Sequence, residues 1–163
     1  MDSDALRVDE SLLRWLLEHG ANPNTMARLR PCQSVIERVP PLAHAARLAT
    51  PAALNMLFEF GAEMYPEAIF WAIGVGRGIG DDPTTLRALI EHGADVNVES
   101  KRWSTPLRYA VRRIRTEKVK VLLEYGADPG ARHQGRGCTV LEFARQEGRE
   151  DLVEAMEMAC GQP

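Results

Sequence analysis

Apolar side chains recur along this chain in a helical stripe that is interrupted four times in the same way. Leu12, Leu13, Leu16 and Leu17 form the first set, and Ala53, Leu54, Leu57 and Phe58 the second. Thr85, Leu86, Leu89 and Ile90 follow, then Lys118, Val119, Leu122 and Leu123, with Thr85 and Lys118 as two polar lapses. Such spacing lies on one face of a 3.6-residue helix, so each segment predicts a helix that buries a stripe and exposes the rest. All four segments close on the same pair: Gly20 and Ala21, Gly61 and Ala62, Gly93 and Ala94, Gly126 and Ala127. The glycine is expected to supply the left-handed residue that stops the helix. Asp9, Thr50 and Asp82 occupy matching N-cap positions, with Pro51 and Pro83 next to two of them. Arg115 stands there in the fourth segment, where Thr116 offers a cap one residue later.

The glycines are 41, 32 and 33 residues apart, and a period near 33 predicts stacked supersecondary units. A shorter apolar segment precedes each long one. Thr105, Pro106, Leu107 and Ala110 outline it best, with 41–46 and 139–144 alike and 68–72 a degenerate copy. The run Gly93, Ala94, Asp95, Val96, Asn97, followed by Thr105, Pro106 and Leu107, resembles the ankyrin repeat. Gly126, Ala127 and Asp128, and Gly20 to Asn24, repeat that resemblance. It implies an all-α ankyrin-repeat solenoid of stacked helix-turn-helix units with short β-hairpin fingers. Residues 1–163 would form a single array. Its units are a partial N-terminal repeat at 1–24, a repeat with an extended finger at 25–64, and one with a shortened finger and a Gly-rich inter-helix loop at 65–97. A near-consensus repeat at 98–130 and a C-terminal capping repeat at 131–163 complete it. The irregular spacing resembles that of divergent ankyrin proteins of filamentous fungi. The family's histidine after Thr-Pro-Leu is replaced by Ala43, Phe70, Arg108 and Glu142, which implies weaker bonding between neighbouring turns with stacking kept.

Departures from the period fall in three places. Eight extra residues lie within Thr25–Pro40, the finger between Gly61 and Ile69 is nearly deleted, and five extra residues surround Gly74 to Gly80. Insertions of this kind map to loops, often on a binding face. The first helix, from about residue 9, would leave one apolar face short of cover, which allows self-association through the partial N-terminal repeat. Leu152, Val153 and Met156 should face inward in the last helix, with Glu150, Asp151, Glu154 and Glu157 outward, as a terminal cap requires.

Charge changes the picture next. The net value is −3, but residues 1–100 carry 8 basic and 14 acidic side chains, and 121–163 carry 4 and 8. Between them, residues 101–120 hold 8 basic groups against Glu117 alone. A basic block within an acidic chain is the most distinctive surface feature. Cys32, Cys138 and Cys160 are odd in number and lack metal-type spacing, which fits a reduced intracellular compartment, cytoplasmic or nuclear. The acidic start carries no secretory pattern, and no apolar run is long enough for a membrane span.

Candidate chemistry is sparse. Glycines 74, 76, 78 and 80 fit neither dinucleotide nor P-loop spacing, and Asp81 and Asp82 would repel phosphate there. His19 and His92 sit beside helix-ending glycines, a structural position. His44 is ambiguous, and His133 with Cys138 lacks further zinc ligands. No catalytic constellation is recognisable, so no catalytic, cofactor or metal residues are expected.

The reading is therefore a non-enzymatic protein–protein interaction module. The resemblance implies binding by finger tips and the inner-helix face, which map here to Lys101, Arg102 and Ser104 and to Arg112 and Arg113, with Trp103 in the same finger and Arg108 in reach of the same zone. Arg47 in an earlier unit and Gln146 in the last hold equivalent places. Trp103 either projects as an apolar anchor or packs against the shortened finger before it. Arginine dominates this set, which suits an acidic or phosphorylated partner segment; Lys118 and Lys120, on the outer helix, should be bland. Nucleic acid is disfavoured by the net charge and the confinement of the block to one unit. The alternative is a small biosynthetic or modifying enzyme with a pocket in the irregular middle, lined by His44, Phe70, Trp71 and Cys32.

Overall fold

The four Gly-Ala pairs end their helices in one shared geometry. Gly20, Gly61, Gly93 and Gly126 all have φ between 82° and 93°. In each, the glycine N–H bonds the carbonyl three residues back and the alanine N–H the carbonyl five back, as in Gly126 to Leu123 at 3.0 Å and Ala127 to Leu122 at 2.9 Å. This is the Schellman arrangement, and it satisfies carbonyls that the helix leaves unpaired.

The computed structural model describes residues 9–32, 35–48, 50–74, 80–132 and 137–160. Its long helices are α1 (Glu10–Glu18), α3 (Pro51–Glu59), α5 (Thr84–Glu91), α7 (Thr116–Glu124) and α9 (Glu150–Cys160). The shorter ones are α2 (Pro41–Leu48), α4 (Ala68–Ile73), α6 (Pro106–Arg112) and α8 (Val140–Gln146). Two strands, β1 (Ala27–Cys32) and β2 (Val35–Val39), pair antiparallel with Ala27 opposite Val39. The eight extra residues of the extended finger are thus absorbed by a hairpin. No helix among the described residues is long and apolar enough to cross a membrane.

The chain divides into two compact units. One runs to Gly80 and adds Thr84–Ala94; the other takes Asp81–Pro83 and the chain from Asp95. In the first, α2 packs on α3 and α4, α4 on α5, and α3 lies between α1 and α5. Its core is Leu42, Leu54, Leu57, Ile69, Phe70, Trp71, Ile73, Leu86 and Leu89, all at most 1% exposed. In the second, α6 packs on α7 and α8, and α9 closes on both α7 and α8. Leu107, Val119, Leu122, Val140, Leu152 and Met156 form its core. In α9, Leu152 and Met156 face inward as expected, with Val153 half-buried and the four acids exposed.

Helix starts follow the sequence in part. Asp9 accepts from the N–H groups of Ser11 and Leu12, at 3.0 and 3.1 Å. Thr139 and Glu142 form a reciprocal capping box. Thr50 sits at its cap position but makes no cap bond, its hydroxyl donating to Glu10 instead. α5 begins at Thr84, one residue past Pro83. Thr116 does not cap α7: it is the first helical residue, and Asp81 accepts from the N–H groups of Glu117 and Lys118, at 2.9 and 3.5 Å. A carboxylate 36 residues upstream thus caps this helix. Lys118, read as a bland outer position, is instead 2% exposed.

Asparagines tie successive turns together. Asn97 donates to the Gly126 carbonyl at 3.0 Å and accepts from Asp128 N–H at 2.9 Å. Asn24 does the same to Gly61 and Glu63, at 3.1 and 2.8 Å. The asparagine that ends each of these two Gly-Ala-x-x-Asn runs therefore spans to the next Gly-Ala end.

Candidate partner-binding site

The basic block folds into a tight turn followed by a helix. Ser100 and Ser104 exchange two backbone hydrogen bonds of 2.9 and 2.8 Å, and Arg102 N–H reaches Ser100 Oγ at 3.3 Å. Closing the turn over five residues puts Ser104 at φ 69°. Thr105 accepts from Arg108 N–H, and Pro106 takes the first turn of α6.

Two rings organise the arginines. Trp103 is 7% exposed, and its indole centroid lies 6.1 Å from that of Tyr109. Arg102 stacks 5.0 Å above Trp103 and Arg112 5.3 Å above Tyr109, distances at which a guanidinium is held by the ring quadrupole. Burial pushes the Tyr109 phenol above its usual range, while Arg113, Arg112, Arg102 and Arg115 all pull it back, so four guanidiniums bear on this one group. Trp103 does not project as an anchor: its indole packs beside Tyr109 of α6 and is a platform under Arg102.

Arg108 lies in the slot of the missing histidine and is held from the next turn. Its guanidinium donates to the Cys138 carbonyl at 3.0 Å, approaches Cys138 Sγ at 3.5 Å, and stacks 4.3 Å over Phe143. Bonding between these turns is therefore supplied by arginine where the histidine's absence implied its weakening. Cys138 Sγ in turn lies 3.9 Å from Gln146 Oε1, on the exposed end of α8. Lys101, Arg102, Arg112, Arg113 and Gln146 are exposed. Arg102, Trp103, Ser104, Arg108 and Arg112 together line a hollow of about 220 Å³.

Arg47 belongs to the other unit. Its Nε is buried without a hydrogen-bond partner, as is Nδ1 of His44. Burial, and then the charge of Arg47, hold the His44 imidazole below its usual pKa. The remaining members of the enzyme alternative do not form an open cleft: Phe70 and Trp71 are 0% exposed and fill the core. The Cys32 side chain, the run 75–79 and His133 lie outside the described residues. His19 and His92 are structural, as expected. His19 Nδ1 bonds the Trp15 carbonyl at 2.7 Å, and His92 stacks on Phe58 and bonds Asn55.

A second surface feature was legible only as an uncovered helix. Leu12, Trp15 and Leu16 of α1 are 54%, 53% and 42% exposed. Beside them Glu10, Arg14, Trp15, Asn55 and Met56 border a cleft of about 630 Å³.

Comparison with known proteins follows this geometry. The family model described as ankyrin repeats (3 copies) matches residues 42–133 and 69–158. Over 78 residues, 47% of this chain and 10% of the relative, the sequence is 37% identical to the ARF GTPase-activating protein GIT2 of Rattus norvegicus. Over 57 residues it is 44% identical to the putative ankyrin repeat protein FPV233 of Fowlpox virus (strain NVSL), covering 34% of this chain and 11% of that one. The chain thus spans about a tenth of the length of these curated relatives. The crystal structure of the ankyrin repeat domain of Bcl-3 superposes with a TM-score of 0.74 at 22% identity, over 95% of this chain and 66% of that one. That likeness is one of fold.

Proposed function

This chain belongs to the ankyrin repeat family, a helical repeat fold that serves as a protein–protein interaction module, and we propose that it binds an acidic or phosphorylated partner segment. The surface we assign is the finger and inner-helix face of the Lys101–Arg113 region, with Gln146 at its margin. The observation that carries this reading is the seating of Arg102 and Arg112 on the neighbouring rings of Trp103 and Tyr109, in a stretch of 20 residues with one acid. Guanidiniums seated on rings lose less freedom on pairing than free lysines do, which favours capture of carboxylate or phosphate oxygens. Arg47 lies in the other unit and is proposed only as a further contact. The fold is generally a non-catalytic scaffold, and the packing of Phe70 and Trp71 gives the enzyme alternative no support.

The test is an immobilised peptide library in which acidic, phosphorylated, neutral and basic segments are equally represented. Acidic or phosphorylated peptides should dominate the bound set. Arg112→Ala with Arg113→Ala should weaken them by about 1 kcal/mol per residue, because both side chains are solvent-exposed. Neutral or basic peptides dominating, or no loss in the double variant, would place the partner surface elsewhere.

The exposed face of α1 supports a second reading, self-association through Leu12, Trp15 and Leu16. Apolar area left in water costs about 25 cal/mol per Å², so covering it favours a dimer. Light scattering over a concentration series should show the molar mass rising, and Trp15→Glu should abolish the rise. A constant monomer mass in the unsubstituted chain excludes the idea.

A further inference from the structure

Within the basic face, one hollow has the donors of a site for a single group. Ser104 is 6% exposed, and its Oγ is buried without a hydrogen-bond partner. A buried hydroxyl that exchanges water for nothing is rare in a folded protein. The same residue holds φ 69°, a left-handed backbone that side chains other than glycine and asparagine seldom adopt. Solvation and conformation thus both disfavour serine here, and such residues cluster where a ligand compensates.

Ser104 is one of the residues lining the hollow, together with Trp103, Arg102, Arg108 and Arg112. Arg112 is seated on Tyr109, and no carboxylate pairs with it among the described residues. Arg102 is seated on Trp103. Arg108 is tied to Cys138 and Phe143, so it contributes fixed positive charge at the wall. Resting on the acidic-segment reading above and narrowing it, we propose that this hollow receives one phosphorylated side chain of the partner, a phosphoserine or phosphothreonine. The Ser104 hydroxyl and the guanidiniums of Arg102 and Arg112 are its donors.

The donor set favours phosphate over carboxylate. A carboxylate has two oxygens and one charge, and a single guanidinium saturates it in a bidentate pair, leaving the Ser104 hydroxyl orphaned. A phosphomonoester carries nearly two charges and three strong acceptor oxygens, which match one hydroxyl and two guanidiniums. About 220 Å³ accommodates the phosphate together with the first carbons of its side chain.

The experiment is an amide NMR titration of the full chain with N-acetyl-O-phosphoserine amide and, separately, N-acetyl-aspartate amide. Phosphoserine should shift Ser104 and Thr105 saturably and bind about tenfold more tightly than aspartate, the weight of one charge-assisted hydrogen bond. Ser104→Ala removes only the orphaned hydroxyl. It should weaken phosphoserine about tenfold while leaving Tm unchanged or higher, since the fold does not use that group. Equal binding of the two probes, unchanged binding by Ser104→Ala, shifts spread evenly over residues 101–120, or a fall in Tm would each overturn the site. Failure here with acidic peptides still dominating the library and losing affinity in the Arg112→Ala and Arg113→Ala variant strikes the hollow alone. Failure of both strikes the basic face itself.

Discussion

Replacing Lys118 by methionine should raise the stability of the protein at neutral pH by about 2–3 kcal/mol. The lysine occupies an inward position of α7 and is 2% exposed. Burial, and then the charge of Arg115, lower its pKa to about 8, against the opposing pull of Asp81 and Asp82. Below pH 8 the ammonium is charged in both folded and unfolded chains, and the folded state bears the full cost of holding it out of water. Between pH 8 and 10.5 the unfolded chain keeps a proton that the folded chain has released, so this group makes stability rise with pH across that window. Urea unfolding at pH 7, 8, 9 and 10 checks both parts. The difference between the two proteins should be largest at pH 7 and shrink toward pH 10, which isolates Lys118 from tyrosines and other lysines. A variant less stable than the parent at pH 7, with a difference independent of pH, would show that the ammonium's partners outweigh its burial.

Asn97→Ala should cost about 2 kcal/mol, since it removes two hydrogen bonds that join successive turns. A larger signature is expected in cooperativity. In a repeat fold, stability is a sum of unit terms and nearest-neighbour terms, and Asn97 supplies the latter. Cutting it lowers the urea m-value as well as the midpoint, because neighbouring units then unfold less in concert. Asn97→Asp keeps the acceptor for Asp128 N–H and loses the donor to Gly126, so it should fall between parent and alanine. A midpoint shift with unchanged m would mean that packing alone couples these units.

What the sequence revealed and what it hid divide along one physical line. The helices, their left-handed glycine ends and the long finger could be read because each depends on residues within one or two turns. Interactions that reach across a repeat left no local trace. Asp81 caps a helix 36 residues on, and Arg108 replaces a histidine's contact by gripping Cys138 30 residues away. Lys118 breaks the apolar stripe and reads as a bland outer-helix position, although the stripe itself places that position inside. The basic block was visible as a count of charges. The orphaned hydroxyl of Ser104, the left-handed turn beneath it and the seating of Arg102 and Arg112 on rings arise only when the five-residue turn closes.

The paired strands β1 and β2 lengthen one finger by several residues, yet the Asn24 clasp to Gly61 and Glu63 keeps the geometry that Asn97 has with Gly126 and Asp128. Pitch and reach are therefore set by separate parts of the chain. Within each unit, the glycine end and the asparagine that clasps it act as a ruler between two successive turns, whatever the loop between them contains. Finger length and finger sequence are free to drift under selection for a new partner, while a substitution at a ruler position is felt by the turn it clasps.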